Sequence, residues 1–175
     1  MNQQELNKYF STEWQPEMEK YALSGMDLVH KCRKRDWVLD VGCGYNPFKG
    51  HIKNLVAIDP ANDKADVVTT IEDFETDRLF DVAFCLGSIN FGDEAKIRTQ
   101  IEKVITHMQP SCKIFWRCNP GRFDHGNPNT HKVNFFNWSE QYHETFCKDY
   151  GFKLVELGTE IPDNDKVRIY AEWNR

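Results

Sequence analysis

The chain has 175 residues, of which 40% are hydrophobic and 13% aromatic, and it carries a formal net charge of −5. This composition excludes a disordered chain, and a sequence of this length buries about 70% of the surface its unfolded form exposes, enough for a core without staples. The acidic balance argues against broad attraction to nucleic acid, where Lys and Arg must neutralise phosphates. No apolar run approaches the roughly 18 residues of a spanning helix, and the Met1–Glu5 start lacks the basic, then apolar character of a signal peptide. A soluble, cytoplasmic protein without a membrane partner is expected. Six cysteines form no Cys-x-x-Cys pair, and several lie in apolar runs where a thiol acts as a small core residue, so neither disulfides nor a metal site is expected.

Residues 1–36 form a leading segment whose Tyr9, Phe10, Trp14, Met18, Tyr21, Met26, Leu28 and Val29 predict one or two helices. The basic run His30–Arg35 reads as the solvated end of a helix. Val38–Val41 predicts a buried strand that turns at Gly42-Cys43-Gly44, with a short helix to follow within residues 46–54. Leu55–Ile58 is the second strand, closed by Asp59. Val67-Val68 predicts a third, although residues 59–66 fall short of the dozen a parallel crossover normally needs.

Phe80–Leu86 is the fourth strand and ends in the small-residue turn Gly87-Ser88. Asp93 is placed to N-cap the clearest helix, which runs to Met108 on an apolar stripe of Ile97, Ile101, Val104, Ile105 and Met108 and is ended by Pro110. Lys113–Arg117 predicts the fifth strand, and residues 118–138 form a loop of functional length on the substrate side. A helix over residues 139–150 stops at Gly151, and Lys153–Leu157 and Val167–Trp173 close the chain as two strands. The alternation predicts one α/β domain over residues 1–175, with helices on both faces of the sheet.

The turn after the first strand carries the chemical signal. Gly-x-Gly under a strand end, with an acid about 20 positions further on, is how a doubly wound fold holds an adenosine-type ligand, and Asp59 stands where ribose hydroxyls are bound. Dinucleotide binding asks for Gly-x-Gly-x-x-Gly, and its last position here is Pro47. With Asp40 ahead of it, the stretch Asp40-Val41-Gly42-Cys43-Gly44-Tyr45-Asn46-Pro47-Phe48 instead resembles motif I of the class I S-adenosylmethionine-dependent methyltransferases. Asn46 replaces the third glycine of that motif. A residue before proline is pushed toward extended geometry, which would make Asn46 an N-cap and Pro47 the first helical position.

The resemblance implies a Rossmann-like, doubly wound, mostly parallel seven-stranded sheet with an antiparallel last strand in a three-layer sandwich, and S-adenosyl-L-methionine as cofactor. It implies that the Gly42 and Gly44 backbone faces the amino-acid part of the cofactor, that Asp40 helps order the loop, and that Asp59 accepts from the ribose. Leu86 and Gly87 would line the methionine side. The family's acid for the adenine amino group falls on Thr70, so Glu72 or Asp73 would substitute by a shift in register, with Ile71 over the ring. Trp14 and Tyr21 are either lid residues at the cofactor mouth or ordinary packing.

Substrate groups are expected beyond the fourth and fifth strands, where open α/β sheets bind ligands. Asn90 is a polar group for the methyl-transfer region, Arg117 a clamp for an anionic substrate, and His125 or His131 a general base for a hydroxyl acceptor. The expected activity is methyl transfer by in-line displacement to a small-molecule acceptor, by a monomer or homodimer. The alternatives are a nucleic acid or protein acceptor, aminopropyl or hydride transfer on the same fold, and a non-catalytic S-adenosylmethionine-binding regulatory module.

Overall fold

The computed structural model describes residues 2–23, 25–121, 133–160 and 167–175. Its centre is a sheet of β1 (Val38–Val41), β2 (Leu55–Ile58), β3 (Phe80–Leu86), β4 (Met108–Cys118), β5 (Lys153–Glu160) and β6 (Arg168–Asn174). The spatial order is β2-β1-β3-β4-β6-β5; β1 to β4 run parallel, and β6 is antiparallel to both β4 and β5. The mostly parallel sheet and the reversed last strand agree with the sequence.

The described residues form six strands, not seven. Val67-Val68 contributes only a single bridge between Ile58 and Val67. The short link explains this: with no room for a crossover helix, the chain folds straight back, and the N–H groups of Asp66 and Val67 both donate to Ala57 O at 2.8 and 3.2 Å. Val68 is left 61% exposed, so nothing packs the segment into a strand.

Strand alternation sends Leu39, Val41, Ala83, Cys85, Ile114 and Trp116 to one face of the sheet, and Val38, Val82, Phe84 and Phe115 to the other. The first face is covered by α3 (Glu94–Thr106) and α4 (Glu140–Asp149). Asp93 caps α3 by accepting from Lys96 N–H at 3.0 Å, and Ile97, Ile101 and Val104 are fully buried. Burying each contributes about 1.5–3 kcal/mol. The helix stops at Thr106, ahead of Met108, because Met108–Pro110 already belongs to β4.

The second face has a thinner cover, the 3₁₀ turn Met26–Lys31 together with Phe48 and Ile52. The helix expected within residues 46–54 does not form; those residues make successive turns. Asn46 is not extended but left-handed, with φ 56°. The position keeps the backbone demand of the glycine it replaces, and Asn is the side chain that tolerates that region. Its Nδ2 donates to Lys64 O at 2.9 Å.

Ahead of the sheet lie α1 (Gln3–Lys8), a π-helical turn at Tyr9–Glu13 and α2 (Met18–Leu23). Leu6 and Tyr9 pack with Val133 and Phe135, which ties this segment to the strip that leads into α4. Among the described residues all six cysteines are free, five of them buried, and no helix is long and apolar enough to cross a membrane.

Candidate cofactor and acceptor site

A cavity of about 310 Å³ opens at the carboxyl ends of β1 to β4. Its floor is the turn after β1. Gly42 and Gly44 both take positive φ, 69° and 54°, which lets the chain bend back so that Gly42 and Cys43 N–H donate to Ile58 O at 2.8 and 3.0 Å. A Cβ on Gly42 would lie 2.3 Å from Ser88 Cβ, so only glycine allows the turns after β1 and β3 to meet.

Asp59 ties this loop to β2. Its Oδ2 accepts from Gly44 N–H at 2.8 Å and its Oδ1 from Ala61 N–H at 2.8 Å, while the carboxylate still lines the cavity. Each carboxylate oxygen keeps a further lone pair for a ligand hydroxyl. Ordering the loop is therefore the work of Asp59, where the resemblance gave it to Asp40.

Asp40 stands differently. It is buried in the cavity wall, and its Oδ2 has no hydrogen-bond partner. Burial pushes its carboxyl up to about 8, and the neighbouring Asp59 charge adds to the shift, with no cation among the described residues to offset it. The free protein holds Asp40 protonated at neutral pH and presents an acid that would ionise beside a cation.

Beyond β2, Ile71 and Glu72 reach the same cavity. Gln100 Nε2, on α3, donates to Glu72 Oε1 at 2.8 Å, leaving Glu72 Oε2 and Gln100 Oε1 buried and without partners. Asp73 turns away to hydrogen-bond Thr70 Oγ1 at 2.8 Å and is exposed. Of the two acids that could replace Thr70, Glu72 is the one in the wall. Leu86 and Gly87 line the opposite side. All eight expected cofactor residues, Asp40, Gly42, Gly44, Asp59, Ile71, Glu72, Leu86 and Gly87, thus share one cavity.

The roof comes from the leading segment. Trp14 stacks on Tyr45 with centroids 5.8 Å apart, Tyr21 meets both edge-on, and the Tyr21 hydroxyl donates to Cys43 O at 3.1 Å. Burial raises the Tyr21 phenol well above its ordinary value, so it stays a neutral donor. Phe10 packs on Phe91 at 5.3 Å, and Phe91 on Phe135 at 5.0 Å, extending the aromatic wall over the end of β3. Trp14 and Tyr21 are cavity residues as well as packing.

The catalytic expectations fare unevenly. Arg117 lines the cavity at the end of β4. Asn90 does not: it is 1% exposed, and its Oδ1 accepts from Asn119 N–H at 3.3 Å while Phe136 N–H binds its backbone oxygen at 2.8 Å. It fastens three loops together under the wall. His125 and His131 lie outside the described residues. Sequence reasoning missed Phe10, Phe91, Lys96, Gln100 and Arg168, all in the wall. Gln100 alone left a trace, a polar residue inside the apolar stripe of α3.

No protein-family model matches the chain, and no curated protein matches it in sequence. Solved structures do. The Burkholderia thailandensis 1,6-didemethyltoxoflavin-N1-methyltransferase, solved with S-adenosylhomocysteine, is similar over 98% of this chain and 85% of its own, at a TM-score of 0.72 and 10% identity. Magnesium protoporphyrin IX methyltransferase from Synechocystis PCC 6803 aligns over 99% and 100%, at 0.72 and 13%. The N-methyltransferase NodS from Bradyrhizobium japonicum WM9 aligns over 98% and 97%, at 0.70 and 17%. The chain has the Rossmann-like fold of the class I S-adenosylmethionine-dependent methyltransferases.

Proposed function

We propose that the chain is an S-adenosylmethionine-dependent methyltransferase acting on a small molecule. The observation that carries this reading is the buried Asp40 carboxyl beside the Gly42–Gly44 bend, its Oδ2 without a partner and, among the described residues, Asp59 the one charge acting on it. A cofactor bearing a sulfonium and an ammonium satisfies that site. A pyrophosphate would bring negative charge to it, and no helix follows the bend to offer the N-terminal dipole that dinucleotide folds use for phosphate. The three similar structures are by their names methyltransferases, two of them of small molecules, 1,6-didemethyltoxoflavin and magnesium protoporphyrin IX, and support the same choice.

In this reading Asp59 accepts from the ribose hydroxyls while holding Gly44, Glu72 Oε2 and Gln100 Oε1 take the adenine amino group, and Asp40 faces the methionine ammonium. When bound, S-adenosylmethionine supplies an electrophilic methyl group. The chain's own contribution is alignment: the fixed bend and the aromatic roof orient cofactor and acceptor and exclude water, a source of about 7–11 kcal/mol in well-aligned reactions.

Isothermal titration of the folded protein with S-adenosylhomocysteine, S-adenosylmethionine and NAD tests the proposal. Binding of the first two and none of the third is expected. Tighter binding of NAD, or no binding of either adenosyl thioether, refutes it.

A further inference from the structure

The charged residues of the cavity wall are sorted by strand. Its acids are Asp40 at the end of β1, Asp59 at the end of β2 and Glu72 beyond it; its cations are Arg117 at the end of β4, Arg168 at the start of β6 and Lys96 in the first turn of α3. Because β6 is antiparallel to β4, its first residues lie beside the last of β4, as the Cys118–Ile169 pairing shows. Adjacent strands are about 4.8 Å apart, so the three steps from β2 to β4 set Asp59 roughly 14 Å from Arg117 across the sheet, and the two steps from β1 set Asp40 roughly 10 Å from it. Lys96 lies nearer the acids, one helical turn before the Gln100 that holds Glu72. The acid half is matched to the cationic groups of the cofactor, and the basic half is placed for an anion.

The same cavity is lined by Phe10, Phe91 and Phe135, with Phe91 in ring contact with each of the other two. Their faces and edges suit a flat ring at about 4.5–7 Å. Arg117 and Arg168 engage other groups too, and Arg168 Nη1 donates to Val167 O at 3.0 Å, but a guanidinium carries five N–H donors and can serve a carboxylate besides. Among the described residues Lys96 Nζ reaches only the neutral Gln3 Oε1, at 3.5 Å.

Building on the methyltransferase reading, we infer that the methyl acceptor is a small planar aromatic anion, its ring against Phe10 and Phe91 and its carboxylate or equivalent anionic group toward Lys96 and Arg117. An anionic acceptor is also drawn by the sulfonium, so each ligand strengthens the site for the other. Neutral and cationic analogues of the same ring lose the contact with the basic wall.

The test uses the full chain saturated with S-adenosylhomocysteine, whose own binding is measured first; failure at that step is failure of the methyltransferase reading. Three probes of one ring size follow by titration: 2-naphthoate, 2-naphthamide and 2-naphthylmethylamine. The naphthoate is expected to bind at least tenfold more tightly than either analogue, and Lys96→Gln and Arg117→Gln each to cut that preference at least threefold while S-adenosylhomocysteine affinity is unchanged. Equal or tighter binding of the amide or amine overturns the inference. So does an Arg117→Gln or Lys96→Gln variant that weakens S-adenosylhomocysteine and leaves the acid-to-amide ratio as it was, since the cation would then serve the cofactor's own carboxylate.

Discussion

The floor and the roof of the cavity are built by different physics. The floor, from Asp40 to Gly44 with Asp59, is a backbone construction: positive φ at two glycines, N–H groups aimed at Ile58 O, and a carboxylate that closes the bend. The roof, from Phe10 to Tyr21, is made of ring contacts between side chains on short helical pieces, joined to the floor by the Tyr21 hydroxyl and by the Tyr45 ring. A backbone construction fails when a single atom is added. A ring cluster yields gradually.

Gly42→Ala is the sharpest way to break the floor. The added Cβ meets Ser88 and a side chain is forced into left-handed geometry, at about 1–2 kcal/mol for the conformation and about 1–3 for the overlap. Urea unfolding should show a loss of about 3 kcal/mol, with no cofactor binding. Gly44→Ala separates floor from roof, because there the Cβ meets the Tyr21 and Trp14 side chains of the roof. It carries the same conformational cost, and adding Tyr21→Ala should restore the part of the loss that comes from overlap.

Asp59→Ala removes both the ribose acceptor and the Gly44 anchor. Charge-assisted hydrogen bonds contribute about 1.5–3 kcal/mol, so S-adenosylhomocysteine affinity measured by titration should fall at least tenfold. Unchanged affinity would mean that the loop orders itself without this acid.

Asp40→Asn acts in the opposite direction on stability. The Asp40 carboxyl is raised in the folded protein from its ordinary value of 3.8 to about 8, so the folded state binds the extra proton between those limits and stability falls as pH rises through them. The amide cannot ionise. Thermal unfolding at pH 8.5 should give the variant a Tm at least about 2–4 °C above the parent, the shift of roughly 1 kcal/mol in a chain of this size, and a flatter dependence on pH. The smallest effect is expected at the roof: Tyr21→Phe loses one hydrogen bond, about 1 kcal/mol, and leaves the fold intact by circular dichroism.

The same contrast explains what the sequence disclosed. Backbone demands select particular residues, so Gly42, Gly44 and the acids closing β1 and β2 were visible, as was the cap Asp93. Asn46 was misread because its pre-proline position suggested extended geometry, while the bend demanded a left-handed residue. The third strand failed because residues 59–66 cannot carry a crossover. The meeting of Phe10 and Phe91 left no signal, since a π turn and a loop bring them together. His143 was equally silent: it is fully buried, stacked on Trp138 at 4.6 Å, and held neutral by burial that pushes it down to about 3. It packs as an aromatic ring in the core.

The most direct measurement of whether a cationic nucleoside sits over Asp40 is titration with S-adenosylmethionine at pH 7 in buffers of different ionisation enthalpy. A cationic ligand must ionise the protonated Asp40 carboxyl, so the parent protein should release close to one proton on binding and the Asp40→Asn variant none. Proton uptake, or the same proton count in both proteins, would contradict the account.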